Sequence, residues 1–139
     1  MKKFETTHTP PDQVKEEGYM PVHMLKTFNE KGEPVGFAEF EYFGGKPSFY
    51  FVSNIGNVTI SDSDTKEEGV GNELILKMND FLDSKKSIGY LANTSGISDL
   101  YTKRGWKQSI IASDFSYYGN LTEEEEKTIL KRLKKHFTK

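Results

Sequence analysis

Two glycines set two residues apart, Gly69 and Gly71, run directly into apolar residues at helical spacing in the stretch "TKEEGVGNELI". Glycine lets a backbone approach a ligand closely, and a fresh helix N-terminus presents unpaired N–H groups carrying partial positive charge. The pattern predicts a place for an anion. A dinucleotide fold would require a third glycine where Leu74 stands, and a phosphate-binding P-loop would require Lys then Ser or Thr where Asn72 and Glu73 stand. Other arrangements of reactive residues are poorer. Glu39 and Glu41 alternate onto one strand face with Phe37 and Phe43, as a solvated face or as a candidate general base. "DSDTKEE" lacks the glycine and terminal glutamate of a calcium loop at the required positions. His8, His23 and His136 have no ligand spacing, so no metal is predicted. The serines form no G-x-S-x-G elbow that would support hydrolase chemistry.

These residues need elements to position them. A chain of 139 residues with 35% hydrophobic and 29% charged content suits one domain, residues 1–139, with a single core. Residues 1–19 form a polar N-terminal arm carrying Pro10-Pro11, with at most a short helix from Asp12 to Glu17, and bury little. "MPVHMLKTFNE" and "VGFAEFEYF" alternate as a hairpin around the turn "EKGEP". "SFYFVSNIGNVTI" reads as a long strand interrupted by a bulge near Asn54 to Gly56. Val70, Leu74, Ile75, Met78, Phe81 and Leu82 share one face of the following helix. "SIGYLAN" is then most simply a strand parallel to the one before that helix. "TSGISDLYTKRGW" is a short helix stopped by Gly105, and "KQSIIASDFSYY" supplies one or two closing strands. Residues 122–138 form an amphipathic C-terminal helix with Thr122 as N-cap, Glu125 at the capping-box position, and Ile129, Leu130, Leu133 and Phe137 as its stripe.

This order of antiparallel strands, glycine loop, helix, parallel strand, short helix and strand resembles the GNAT superfamily of N-acetyltransferases. "KEEGVG" is similar to the segment with which that family wraps the pyrophosphate of acetyl coenzyme A, and "LAN" leading to "LYTKRGW" is similar to a second family stretch. The resemblance covers roughly Val35 to Trp106 and implies an α/β (α+β) fold with a mixed, mostly antiparallel sheet flanked by helices. It implies acetyl coenzyme A as acyl donor, with Ile60, Lys66, Gly69, Val70, Gly71, Asn72 and Asn93 lining it, Lys66 acting as a point cation. It further implies Tyr101 as proton donor to the departing thiolate, with Glu41 the glutamate carried as candidate base. The expected activity is N-acetyl transfer to a small-molecule or peptide amine. A GNAT-fold protein that has lost catalysis, and binds coenzyme A or a protein partner instead, is the alternative.

The chain departs from the family pattern in three ways. Asp62, Asp64, Glu67 and Glu68 surround the anion loop, "IGNVTIS" carries no carboxylate, and the residues before Met20 are too few for the first strand and two helices that usually build the acceptor side. That side is then open or completed by a second subunit in a homodimer, an expectation supported by Phe40, Tyr42, Phe49 and Phe51, which alternation spreads over both sheet faces. A net charge of −2 argues against a nucleic-acid partner, and no run of apolar residues is long enough to span a bilayer. The N-terminus lacks a signal-peptide core and the chain has no cysteine, which suits the cytoplasm.

Overall fold

A computed structural model describes residues 4–10, 23–57, 69–92, 98–112 and 114–137. Its strands are β1 (Glu5–Thr9), β2 (His23–Phe28), β3 (Pro34–Phe43), β4 (Phe49–Asn57), β5 (Ile88–Ala92), β6 (Lys107–Gln108) and β7 (Phe115–Tyr118). Its helices are α1 (Val70–Lys85), α2 (Ser98–Thr102) and α3 (Glu123–Phe137). The strands form one sheet in the order β1-β2-β3-β4-β5-β7-β6. Only the β4–β5 pair is parallel, with α1 as its crossover, and the other pairs are antiparallel. The mixed, mostly antiparallel sheet is the one the sequence predicts.

Both faces of the sheet are covered, as sheets with apolar residues on both sides require. On one face Leu25, Ala38, Phe40, Tyr50, Val52 and Leu91 pack against Leu74, Ile75, Met78, Phe81 and Leu82 of α1. On the other, Phe49, Phe51 and Tyr90 pack against Ile129 and Leu133 of α3. Of the four aromatic residues expected to spread over both faces, only Tyr42 is exposed. α3 starts as its capping box dictates: the Thr122 N–H donates to Glu125 Oε1 at 2.9 Å and the Glu125 N–H to Thr122 Oγ1 at 3.2 Å.

Two expectations change. The N-terminal arm contributes a strand, β1, hydrogen-bonded to β2, and Phe4 is buried with Val35 and Val70, so this segment does join the core. The helix expected over Asp12–Glu17 lies outside the described residues. The β4 bulge falls one residue early: Glu39 pairs with Asn54 and Phe40 with Val52, which leaves Ser53 as the extra residue. Gly56 stays in the ladder because the Phe37 ring occupies its side-chain space, where a Cβ would lie 3.2 Å from Phe37 Cε1. No helix among the described residues is long and apolar enough to cross a membrane.

Candidate functional site

The bulge at Ser53 comes directly after the last rung between β4 and β5. β4 and β5 pair from Phe49↔Ile88 to Val52↔Leu91, and there the ladder ends, while β4 continues against β3 to Asn57. Beyond that rung the β5-side edge of β4, from Ser53 to Asn57, has no strand partner among the described residues, and this open edge in the middle of the sheet is the notch. Its floor is the last parallel rung.

The N-terminus of α1 stands at the open end of that notch. A Cβ on Gly36, which pairs with Asn57, would lie 2.7 Å from Val70 Cγ1, so the first turn of α1 sits directly on the end of the β3–β4 ladder. Gly69 precedes the helix with φ +87, a left-handed conformation that glycine takes without strain, and no side chain caps it. The first intrahelical bond runs from Glu73 N–H to the Gly69 carbonyl at 3.0 Å. The N–H groups of Val70, Gly71 and Asn72 therefore have no acceptor within the helix, and the positive end of its dipole adds to them.

The side chains of this turn are spoken for by packing. Val70 is buried, so it can offer a ligand only its backbone. Gly71 lacks a side chain because Leu100 of α2 crosses it, and a Cβ there would lie 3.3 Å from Leu100 Cδ2. Asn72 Oδ1 accepts a short hydrogen bond from Arg104 Nε, and Arg104 Nη1 donates to the Leu100 carbonyl at 2.7 Å. Arg104 thus clamps α2 to the first turn of α1 and brings a guanidinium beside that turn. Sequence reasoning passed over it, because nothing in "TKRGW" says which of its cations turns inward.

Tyr101 lies on α2 within the α1-side core, 2% exposed, its ring edge-on to Trp106 at 5.6 Å. Burial pushes its phenol up to about 12. Gly105, at φ +92, turns the chain so that the Trp106 N–H reaches the Tyr101 carbonyl at 3.1 Å. Trp106 Nε1 donates to Asn79 Oδ1 at 2.7 Å, and Asn79 Nδ2 donates to the Arg104 carbonyl at 2.8 Å. "LYTKRGW" is thereby a buried hook that fastens α2 to the middle of α1.

Glu41 faces the other way. It lies on the α3 side, its carboxylate 3.2 Å from His136 Nε2 and its side chain 15% exposed. Glu41 and Tyr101 are on opposite faces of the sheet, so the structure does not bring the two catalytic candidates together. Gly69, Val70, Gly71 and Asn72 do come together, as one turn. Ile60, Lys66 and Asn93 lie outside the described residues.

A buried carboxylate that sequence reasoning did not single out is Glu126, 1% exposed at the start of α3. Tyr90 donates to its Oε2 at 3.0 Å and Ser109 Oγ makes a short bond to the same oxygen. Ser109 Oγ in turn accepts from the Ile111 and Ala112 N–H groups. This network joins β5, the β6–β7 connection and α3 beneath the notch.

No family model and no curated protein matches the sequence. Solved structures do match the fold. A GNAT family N-acetyltransferase (YhbS) from Escherichia coli in complex with CoA superposes with a TM-score of 0.51 at 11% identity, over 69% of this chain and 57% of that one. A protein from Bacteroides thetaiotaomicron assigned to the GNAT family of acetyltransferases gives 0.57 at 16% identity, over 87% of this chain and 72% of that one. A bacterial toxin gives 0.52 at 9% identity, over 92% and 95%. This chain therefore spans little more than half of the Escherichia coli protein, and what it shares with all three is the fold.

Proposed function

We propose, on the premise of this GNAT fold, that the protein is an acetyl-coenzyme-A-dependent N-acetyltransferase acting on an amine. The observation that carries it is the coincidence of the strand notch with the uncapped α1 N-terminus. Three helix N–H groups beside a glycine-opened turn suit a pyrophosphate, and Arg104 adds positive charge close by. The notch gives a narrow acyl-carrying arm a route into the sheet. Bound acetyl coenzyme A supplies the activated acyl group; transfer forms an N–C bond, breaks the C–S bond, and moves a proton from the amine to the sulfur. The chain's part is to hold the reactants in line and to meet the charge that develops.

Tyr101 is the residue proposed to donate a hydrogen bond to the departing sulfur, since burial keeps its phenol protonated at any working pH. An α-amine with a pKa of about 8 is already partly neutral near pH 7, so such an acceptor needs no strong base. The separation of Glu41 from Tyr101 favours a second reading, a coenzyme-A-binding protein without catalysis.

Calorimetric titration with acetyl coenzyme A tests the site. Gly71→Glu places bulk and negative charge at the helix start, whereas Gly71→Ala reproduces only the crowding of Leu100. Binding that survives in the alanine variant and is lost in the glutamate variant supports the assignment. Equal affinity in all three proteins overturns it. Binding without release of free thiol in the presence of any amine selects the second reading.

A further inference from the structure

The α3 side of the notch holds a cavity of about 360 Å³ lined by Phe51, Ala92, Phe115, Leu130, Leu133 and Lys134. Its place in the fold is specific. Phe51 stands one residue before the last β4–β5 rung, Ala92 one residue after it, and Phe115 pairs with Ala92 from β7. The cavity therefore opens where the β4–β5 ladder ends, on the face opposite α1. Its walls are almost wholly carbon, with Lys134 the one ionisable side chain among these lining residues. Its volume lies within the range of about 300–1,000 Å³ usual for small-molecule sites. A larger and shallower concavity of about 530 Å³, lined by Gly45 to Ser48, Glu124, Glu125 and Thr128, sits at the other end of β4, away from the notch.

The geometry points to the carbon-lined cavity as the acceptor pocket: it takes an amine bearing an apolar substituent about the size of a large amino-acid side chain, with the nitrogen directed to the notch. This rests on the acetyltransferase reading. The phosphates of the acyl donor belong at the α1 N-terminus, so the donor enters from that end and the α3 face is left to the second substrate. Water in a carbon-lined cavity finds few partners, and an apolar group that displaces it gains by burial. In the transfer the amine lone pair forms the N–C bond, the thioester C–S bond breaks, and the amine proton ends on the sulfur of the acyl-coenzyme-A leaving group.

The test is a series of straight-chain primary amines from methylamine to hexylamine, with acetyl coenzyme A and the full chain, followed by thiol release. Each methylene buried should raise kcat/KM about fourfold until the cavity is full. Leu130→Trp, which fills the cavity from a partly exposed position, should lower the hexylamine-to-methylamine ratio of kcat/KM at least tenfold. A flat series, or an unchanged ratio in the variant, overturns the proposal. Methyl NMR of the unsubstituted protein provides a measurement that does not depend on turnover: hexylamine should shift the Leu130 and Leu133 signals and 2-methoxyethylamine should not. Shifts by hexylamine with no turnover would retain the pocket and remove the acetyltransferase reading. Turnover without those shifts, or shifts produced by hexanoyl coenzyme A but by no amine, would remove the pocket assignment.

Discussion

Replacing Tyr101 by Phe separates a packing role from a chemical one. The ring and its edge-on contact with Trp106 remain, and only the hydroxyl is lost. Burial raises that phenol to about 12, two units above its usual value of about 10, which corresponds to about 3 kcal/mol in favour of the protonated form. Because the folded state holds this proton more tightly, the contribution is complete below pH about 10 and is lost as the pH rises through about 12. Tyr101 is therefore a hydrogen-bond donor at every pH used for assay. Full proton transfer to a thiolate with a conjugate acid near 8.5 would be uphill by about 5 kcal/mol in this environment. The donor's worth is then that of a hydrogen bond to a charged group, about 1.5–3 kcal/mol, or about 10- to 150-fold in rate. Steady-state kinetics should show kcat reduced by that factor with KM for acetyl coenzyme A nearly unchanged. Urea unfolding at pH 11 and above should show a smaller alkaline loss of stability in the variant than in the parent. An unchanged kcat would mean that the hydroxyl never meets the reacting atoms. A loss beyond 10³-fold would refute the hydrogen-bond estimate and require complete proton transfer.

Two further outcomes concern the frame around the site. Glu126→Ala should cost about 2–4 kcal/mol in urea unfolding, because it leaves the buried Tyr90 hydroxyl without its acceptor, while Glu126→Gln keeps an acceptor oxygen and should cost less; equal losses would show that the hydrogen bonds to Tyr90 and Ser109 matter little. His8 and His23 stack at 5.2 Å against Phe81, with Nε2 of the first 3.0 Å from Nδ1 of the second; both are pushed below 6.5, first by burial, then by Lys85 for His8 and by His8 and Lys85 for His23. Lowered values in the folded state mean stability that is present above pH 6.5 and lost as the pH falls through the folded values, so amide protection factors in β1, corrected for the intrinsic exchange rate at each pH, should fall on acidification and His8→Phe should abolish much of that dependence; an identical pH response in the variant would discard this account.

What could be read in the sequence was what local rules decide. The six apolar residues of α1 recur at the helical period and all six are buried. The capping box of α3 needs only Thr122 and Glu125. The parallel placement of β5 follows from one helix between two strands. β1 was missed because "ETTHT" carries no apolar alternation; it is an edge strand held by backbone pairing and by polar contacts such as Thr6 Oγ1 to Thr27 Oγ1 at 2.8 Å. Glu126 was legible in principle. It precedes Ile129, Leu130 and Leu133 by three, four and seven residues, which puts it on the buried stripe, but four successive glutamates read as a solvated helix start. Arg104 and the crossing of Gly71 by Leu100 depend on how two helices meet, and no local pattern encodes that.

The path of α3 explains how the notch is walled on one face of the sheet. α3 begins over β5, where Glu126 meets Tyr90, and ends over β3, where His136 meets Glu41, so it crosses the strands instead of running along them. Along that path one flank turns to the β3–β4 turn: Arg132 donates to the carbonyls of Pro47, at 2.7 Å, and Gly44, and lies over the Phe49 ring. The opposite flank, Leu130, Leu133 and Lys134, borders the place where β4 and β5 separate. A single C-terminal helix thus covers this face of the sheet. Its polar contacts with Tyr90 and Glu41 fix it at both ends of the crossing, while Leu130 and Leu133 give the notch side its apolar wall. Glu41 is one of those fixing points. Its contact with His136 joins the sheet to the wall of the notch, so a glutamate carried as a candidate base has a positional role available on the face opposite Tyr101. The catalytic burden in the acetyltransferase reading then falls on the α1 amides, Tyr101 and an acceptor that arrives already neutral, its apolar substituent held in the carbon-lined pocket.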